Sequence, residues 1–142
     1  MNNRLIAWIL TGLLALSGSA RADEAVTEAE LSRFHATKEA GLQAQIDSLN
    51  SAIELLQSRE LTDREQFELI AEPSFSAYDT ALAQQGHTVA TFYEFADTYQ
   101  SQIDEWLTAH SDAQSRVAAL QAEYDSLIET LDQLNPAQTA TD

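Results

Sequence analysis

Residues 111–136 read SDAQSRVAALQAEYDSLIETLDQLNP, and their spacing decides the fold class. Val117, Leu120, Tyr124, Leu127, Leu131 and Leu134 step by 3, 4, 3, 4 and 3. That rhythm puts six apolar side chains on one stripe of an α-helix, while a strand would need a period of two. Ser111 and Asp112 open the segment, and Asn135-Pro136 closes it. One stripe of this kind needs a partner along most of its length.

A matching stripe lies at the other end of the chain. Thr27 and Glu30 have the spacing of a capping box, in which hydroxyl and carboxylate satisfy the free amides of a helix start. From there a helix is expected to about Arg59, carrying Leu31, Phe34, Leu42, Ile46, Leu49, Ile53 and Leu56. The last five step by 4, 3, 4 and 3. Such a helix is about 45–50 Å long, so it bends at Gly41 or reaches past the core. The two striped helices are expected to run antiparallel, paired within one chain or across a homodimer.

Between them the segments are shorter. A second capping box, Thr62 to Glu65, opens a short helix with Phe67, Leu69 and Ile70, which Pro73 is expected to end. A third runs from about Phe75 to Gln85 with Phe75, Tyr78 and Leu82, and Gly86 supplies a left-handed stop. Thr88 then caps a helix from Val89 to about His110. The class is all-α: a small helical bundle or an elongated helical hairpin, with two long seam-bearing helices and short middle helices. Residues 23–136 form a single helical domain, and residues 137–142 form a polar, flexible tail. No internal repeat of solenoid length is evident.

The first 22 residues read as an export signal. Arg4 gives a positive start, Leu5–Leu16 is an apolar run, and Ala20-Arg21-Ala22 is a small-x-small cleavage pattern. Twelve apolar residues fall short of the roughly 20 that a membrane span needs. Cleavage after Ala22 leaves Asp23–Asp142, with five cations against 23 acids, a formal charge of −18; the whole chain carries −16. The expected location is the bacterial periplasm or beyond it, with no stable membrane insertion after cleavage.

Composition narrows the function. The strong negative charge disfavours nucleic acid and anionic lipid. There is no Cys, so no disulfide frame, thiolate metal site or Cys nucleophile exists. No phosphate-cradling glycine loop and no G-x-S-x-G elbow occurs. Asp104 and Glu105 adjoin Trp106, but neighbours on a helix point about 100° apart and do not form an acid–base pair. The chain is therefore expected not to be an enzyme, and neither cofactor nor metal is assigned to it.

Two features remain. Phe92, Phe95, Tyr99, Ile103 and Trp106 step by 3, 4, 4 and 3, with Tyr93 beside them, and form a candidate apolar binding face. Half of the ten aromatics of residues 23–142 lie in those fifteen positions. The bland reading of that face is a core stripe; the sharp one is a half-wet surface for an apolar ligand or an unfolded segment. The second feature is His35 with Glu39, one turn apart, which offers one nitrogen and one carboxylate. Its bland reading is a surface or seam-edge histidine. His87 and His110 read as parts of helix ends.

Leu61-Thr62-Asp63-Arg64-Glu65-Gln66 resembles the LTxxQ signature of small periplasmic helical stress proteins, which include chaperones and metal-responsive members. The glutamine comes one residue late, a second copy is absent, and the Thr62–Glu65 capping box accounts for the same six residues. The chain is not assigned to that family. The expected function is non-enzymatic binding, or a chaperone-like role, toward a protein or envelope component. The alternative is a periplasmic carrier of metal or a small ligand through His35, Glu39 and other acids.

Overall fold

The computed structural model describes residues 25–134, and every regular element among them is helical. The expected signal sequence and cleavage site, Asn135-Pro136 and the expected tail lie outside the described residues. Helix α1 is Glu28–Ser58. Helix α2 (Asp63–Gln66), a π-helical turn (Phe67–Ala71) and helix α3 (Glu72–Gln84) follow without a break in αR geometry and form one return rod. Helices α4 (Val89–Thr98) and α5 (Gln100–Ala109) cross one end, and α6 (Ser111–Leu134) completes the bundle.

The predicted caps are present. Thr27 Oγ1 accepts from Glu30 N at 3.2 Å, and the Glu30 carboxylate accepts from Thr27 N at 2.8 Å. Thr62 and Glu65 repeat the exchange. At Gly86, φ is 82°; its N–H bonds Ala83 O, and His87 N–H bonds Leu82 O. That pair of bonds is a Schellman stop, and its left-handed residue favours glycine.

Pro73 does not end a helix. In a regular α-helix its ring would strike the carbonyl of Leu69, four residues back. Leu69 lies inside the π turn, where Glu72 N–H reaches back five residues to Phe67 O. The widened turn makes room for the ring, and Pro73 stands in the first turn of α3, where its missing N–H is least needed. The two short helices expected here are therefore one rod of about 33 Å.

This rod reverses the relation between the long helices. His35 meets Ala113, and four residues later Glu39 meets Arg116, so both partners advance together. Helices α1 and α6 run parallel, not antiparallel: the rod carries the chain back, and α6 starts beside the beginning of α1. The seam expected between them is filled within one chain. Ile46, Leu49, Ala52, Ile53, Ile70, Tyr124 and Leu131 are buried together, with Leu56, Leu120, Leu127, Ile128 and Leu134 packed around them. Ile46 and Leu49 are almost fully removed from water, a gain of about 1.5–3 kcal/mol each. Burial, with a smaller contribution from Asp125, pushes the Tyr124 hydroxyl up to about 12.

Helix α1 continues without interruption through Gly41. An added Cβ there would lie 2.6 Å from Tyr78 Cε2 and 3.0 Å from Leu82 Cδ1. Glycine lets α1 and the return rod approach closely at this point. Ala44, Ser48 and Ser51 continue the contact toward Ala77, Thr80 and Pro73, along a shallow groove. His35 and Glu39, which meet α6, lie on the opposite flank of α1. The return rod and α6 thus pack on two flanks of α1 and have little contact with each other.

The expected helix from Val89 to His110 breaks at Tyr99, whose φ of −114° and ψ of 24° are not helical. No glycine or proline marks the break. The first half stacks on Phe34 through Phe92 and Phe95, and the second reaches Glu28 through Trp106.

Candidate functional site

The aromatic residues singled out in the sequence do not form one open face. Phe92 is buried, its ring stacked on Phe34 at 4.6 Å, and Phe95 stacks on Phe34 at 5.0 Å. Ile103 packs against the same cluster, which also includes Leu82, Tyr78, Val89 and Tyr93. Tyr99 is half-buried, with its ring 4.8 Å from that of Phe95. Burial, then the charge and hydrogen bond of Tyr93, raise the Tyr78 hydroxyl above its ordinary value. His87 closes the cluster edge-on to Phe92 and Phe95, and burial lowers its pKa below the usual histidine range.

Trp106 turns toward the start of α1. Its Nε1–H donates to Glu28 Oε1 at 2.6 Å, and its ring stacks on His110 at 4.1 Å. His110 Nε2 lies 3.3 Å from the same Glu28 oxygen, and His110 Nδ1 lies 2.7 Å from Trp106 O. On its other side Trp106 is 5.3 Å from His35. His35 is buried rather than at the surface. Its Nε2 is 3.0 Å from Ala113 O and 3.0 Å from Glu39 Oε1. Both neighbours only accept, so Nε2 carries the hydrogen. Arg116 Nε donates to that same Glu39 oxygen at 3.0 Å.

The His35–Glu39 spacing was legible, but its remaining partners come from 77 and 78 residues away. The result is a polar clasp tying α1, α5 and α6 together, in which the Ala113 carbonyl and the Arg116 guanidinium meet the His35–Glu39 pair. Among the described residues, no group of three or more His, Asp or Glu side chains is arranged to hold a metal ion.

The apolar surface that remains uncovered is on the return rod. Phe67 is 58% exposed, Leu69 42% and Phe75 38%, the large hydrophobic side chains most open to water among the described residues. The π turn inserts one residue, so Phe67 and Phe75, eight apart in sequence, stand as if seven apart. Seven residues make two turns with about 20° of drift, which puts both rings on one face. Leu69 lies off it. Glu72 and Asp79, at −3 and +4 from Phe75, flank its ring, and both are exposed. Arg64 is held by Glu68 at 2.7 Å and Arg59 by Glu65 at 2.8 Å. The Arg59 hydrogen bond, together with those from Thr62, holds the Glu65 carboxyl at about 2.

Sequence reasoning placed these phenylalanines on short helices and did not separate them from the core. The available signal was the pair of carboxylates one turn to either side of Phe75. Comparison with protein-family models, with curated proteins and with solved structures gives no match. No helix among the described residues is long and apolar enough to cross a membrane.

Proposed function

We propose that this chain is a non-enzymatic binding protein of the bacterial envelope, exported by its N-terminal signal, that holds a protein partner or client on the apolar face of its return rod. The observation that carries this reading is the exposure of Phe67 and Phe75 on one face. Phe67 and Phe75 are 58% and 38% exposed, so each ring forgoes part of the roughly 1.5–3 kcal/mol that full burial would bring. The high negative charge supports the same role, because it keeps a chain with exposed rings dispersed. The aromatic helices and the polar clasp serve this surface indirectly, by fixing one end of α1.

The test is suppression of client aggregation. Wild-type protein, mixed in equal amounts with a client that aggregates on heating, is expected to delay light scattering, and the Phe67→Ser/Phe75→Ser variant to lose that effect. Equal protection by both proteins, or none by the wild type, contradicts the reading. Export is tested by fractionation: the periplasmic product should begin at Asp23, and an unprocessed cytoplasmic product contradicts this part.

A further inference from the structure

Resting on that reading, we infer that the partner of the Phe67–Phe75 face is a cationic amphipathic segment, one that presents lysine or arginine beside its apolar side chains. The charge around the rings selects it. The return rod, residues 63–84, carries five acids and one arginine, and that arginine is neutralised by Glu68. Glu72 and Asp79 flank Phe75, and Asp63 stands one turn before Phe67; none of the three makes an ion pair among the described residues. Any segment that buries the two rings therefore approaches at least three uncompensated carboxylates.

The same charges weigh against other occupants. A second copy would bring together two chains of −16 each. An anionic lipid surface is repelled for the same reason. A neutral apolar segment gains the ring contacts, but it shields the carboxylates from water without pairing them, which costs binding energy. A basic segment gains both terms. Its cations are attracted over about 10 Å at moderate salt, and its apolar side chains then cover the rings.

The probe is a fluorescently labelled helical peptide of lysine and leucine, about five turns long, compared with two counterparts in which glutamine or glutamate replaces every lysine. Anisotropy titrations with the purified protein are expected to give binding of the lysine peptide alone. Binding should weaken about tenfold or more in Phe67→Ser/Phe75→Ser, and about threefold to tenfold in Glu72→Gln/Asp79→Asn. It should also weaken steeply as salt rises toward about 0.5 M. If the glutamine peptide binds as tightly as the lysine peptide, the cationic inference is overturned while the apolar docking face stands. If no peptide binds, both fall. If the lysine peptide binds the Phe67→Ser/Phe75→Ser variant as well as wild type, the attraction is to charge in general and this face is not the site.

Discussion

Replacing Gly41 by alanine tests the packing of α1 on the return rod with a sign. At an exposed helical position that change stabilises a protein by about 1 kcal/mol, because alanine gives up less backbone freedom. At Gly41 the new methyl would stand 2.6 Å from Tyr78 Cε2 and 3.0 Å from Tyr78 Cδ2 and Leu82 Cδ1. Leu82 is fully buried, and Tyr78 is half-buried against the same cluster, so neither moves aside freely. Overpacking of this kind costs about 1–3 kcal/mol. The helical gain offsets part of that, leaving a net loss of about 1 kcal/mol, or roughly 3–6 °C in Tm for a domain of this size. Valine at the same position should lose more, since it adds bulk and a poorer helix former. Removing the ring should restore the ordinary sign, so Gly41→Ala in a Tyr78→Ala background should stabilise, with a coupling of about 1 kcal/mol or more in the double-mutant cycle. Thermal unfolding followed by circular dichroism reads the wild type and all four variants. A Gly41→Ala protein about 1 kcal/mol more stable than wild type would refute the close approach.

Three further outcomes follow from the same contacts. The chain has no Cys, so Glu39→Cys/Arg116→Cys can be joined by a short bismaleimide, and it should crosslink within one chain far faster than Glu39→Cys/Glu129→Cys. In parallel helices Glu129 stands about 20 Å further along; the reverse preference would establish antiparallel helices. The Glu65 carboxyl, held at about 2, should titrate in NMR well below the ordinary glutamate value of 4.5 and move up in Arg59→Ala. Because its folded value lies below the unfolded one, the stability it lends is present above about 4.5 and is lost as pH falls through about 2; an ordinary titration would contradict the Arg59–Thr62 arrangement. Gln45 is buried with its Oε1 unpartnered, so Gln45→Leu should raise stability by about 1 kcal/mol in urea unfolding, and a loss of similar size would mean that the oxygen has a partner.

The parts of this fold written in local chemistry were readable from sequence. Thr27 with Glu30, Thr62 with Glu65, and Gly86 act within four or five residues, so their spacing alone reports them. The stripes from Leu42 to Leu56 and from Val117 to Leu134 were equally plain, but a stripe says that a helix has a partner and not which way the partner runs. That direction depended on Pro73. Read alone, Pro73 stops a helix; with the π turn before it, it rides inside a rod, and one more rod reverses the sense of α6. The break at Tyr99 had no local mark, since neither glycine nor proline stands there. Distance along the chain hid the site. His35 and Glu39 announced a pair, but Ala113 and Arg116 had to fold back before it became a clasp. The five-residue aromatic stripe said nothing of Phe34 waiting opposite Phe92. Phe67 and Phe75 share a face because of the inserted π residue, and an α-helical spacing rule separates them.

Thermal unfolding of Phe67→Ser/Phe75→Ser bears most directly on the idea that these rings are kept for something other than the fold. Exposed positions away from the core change stability by about 0.5 kcal/mol or less apiece, whereas truncating a core phenylalanine costs about 3–5 kcal/mol. The expected result is a Tm within a few degrees of wild type, in a protein that no longer protects its client. A drop of several kcal/mol would show that the two rings belong to the core of this chain, and the docking surface would be lost with them.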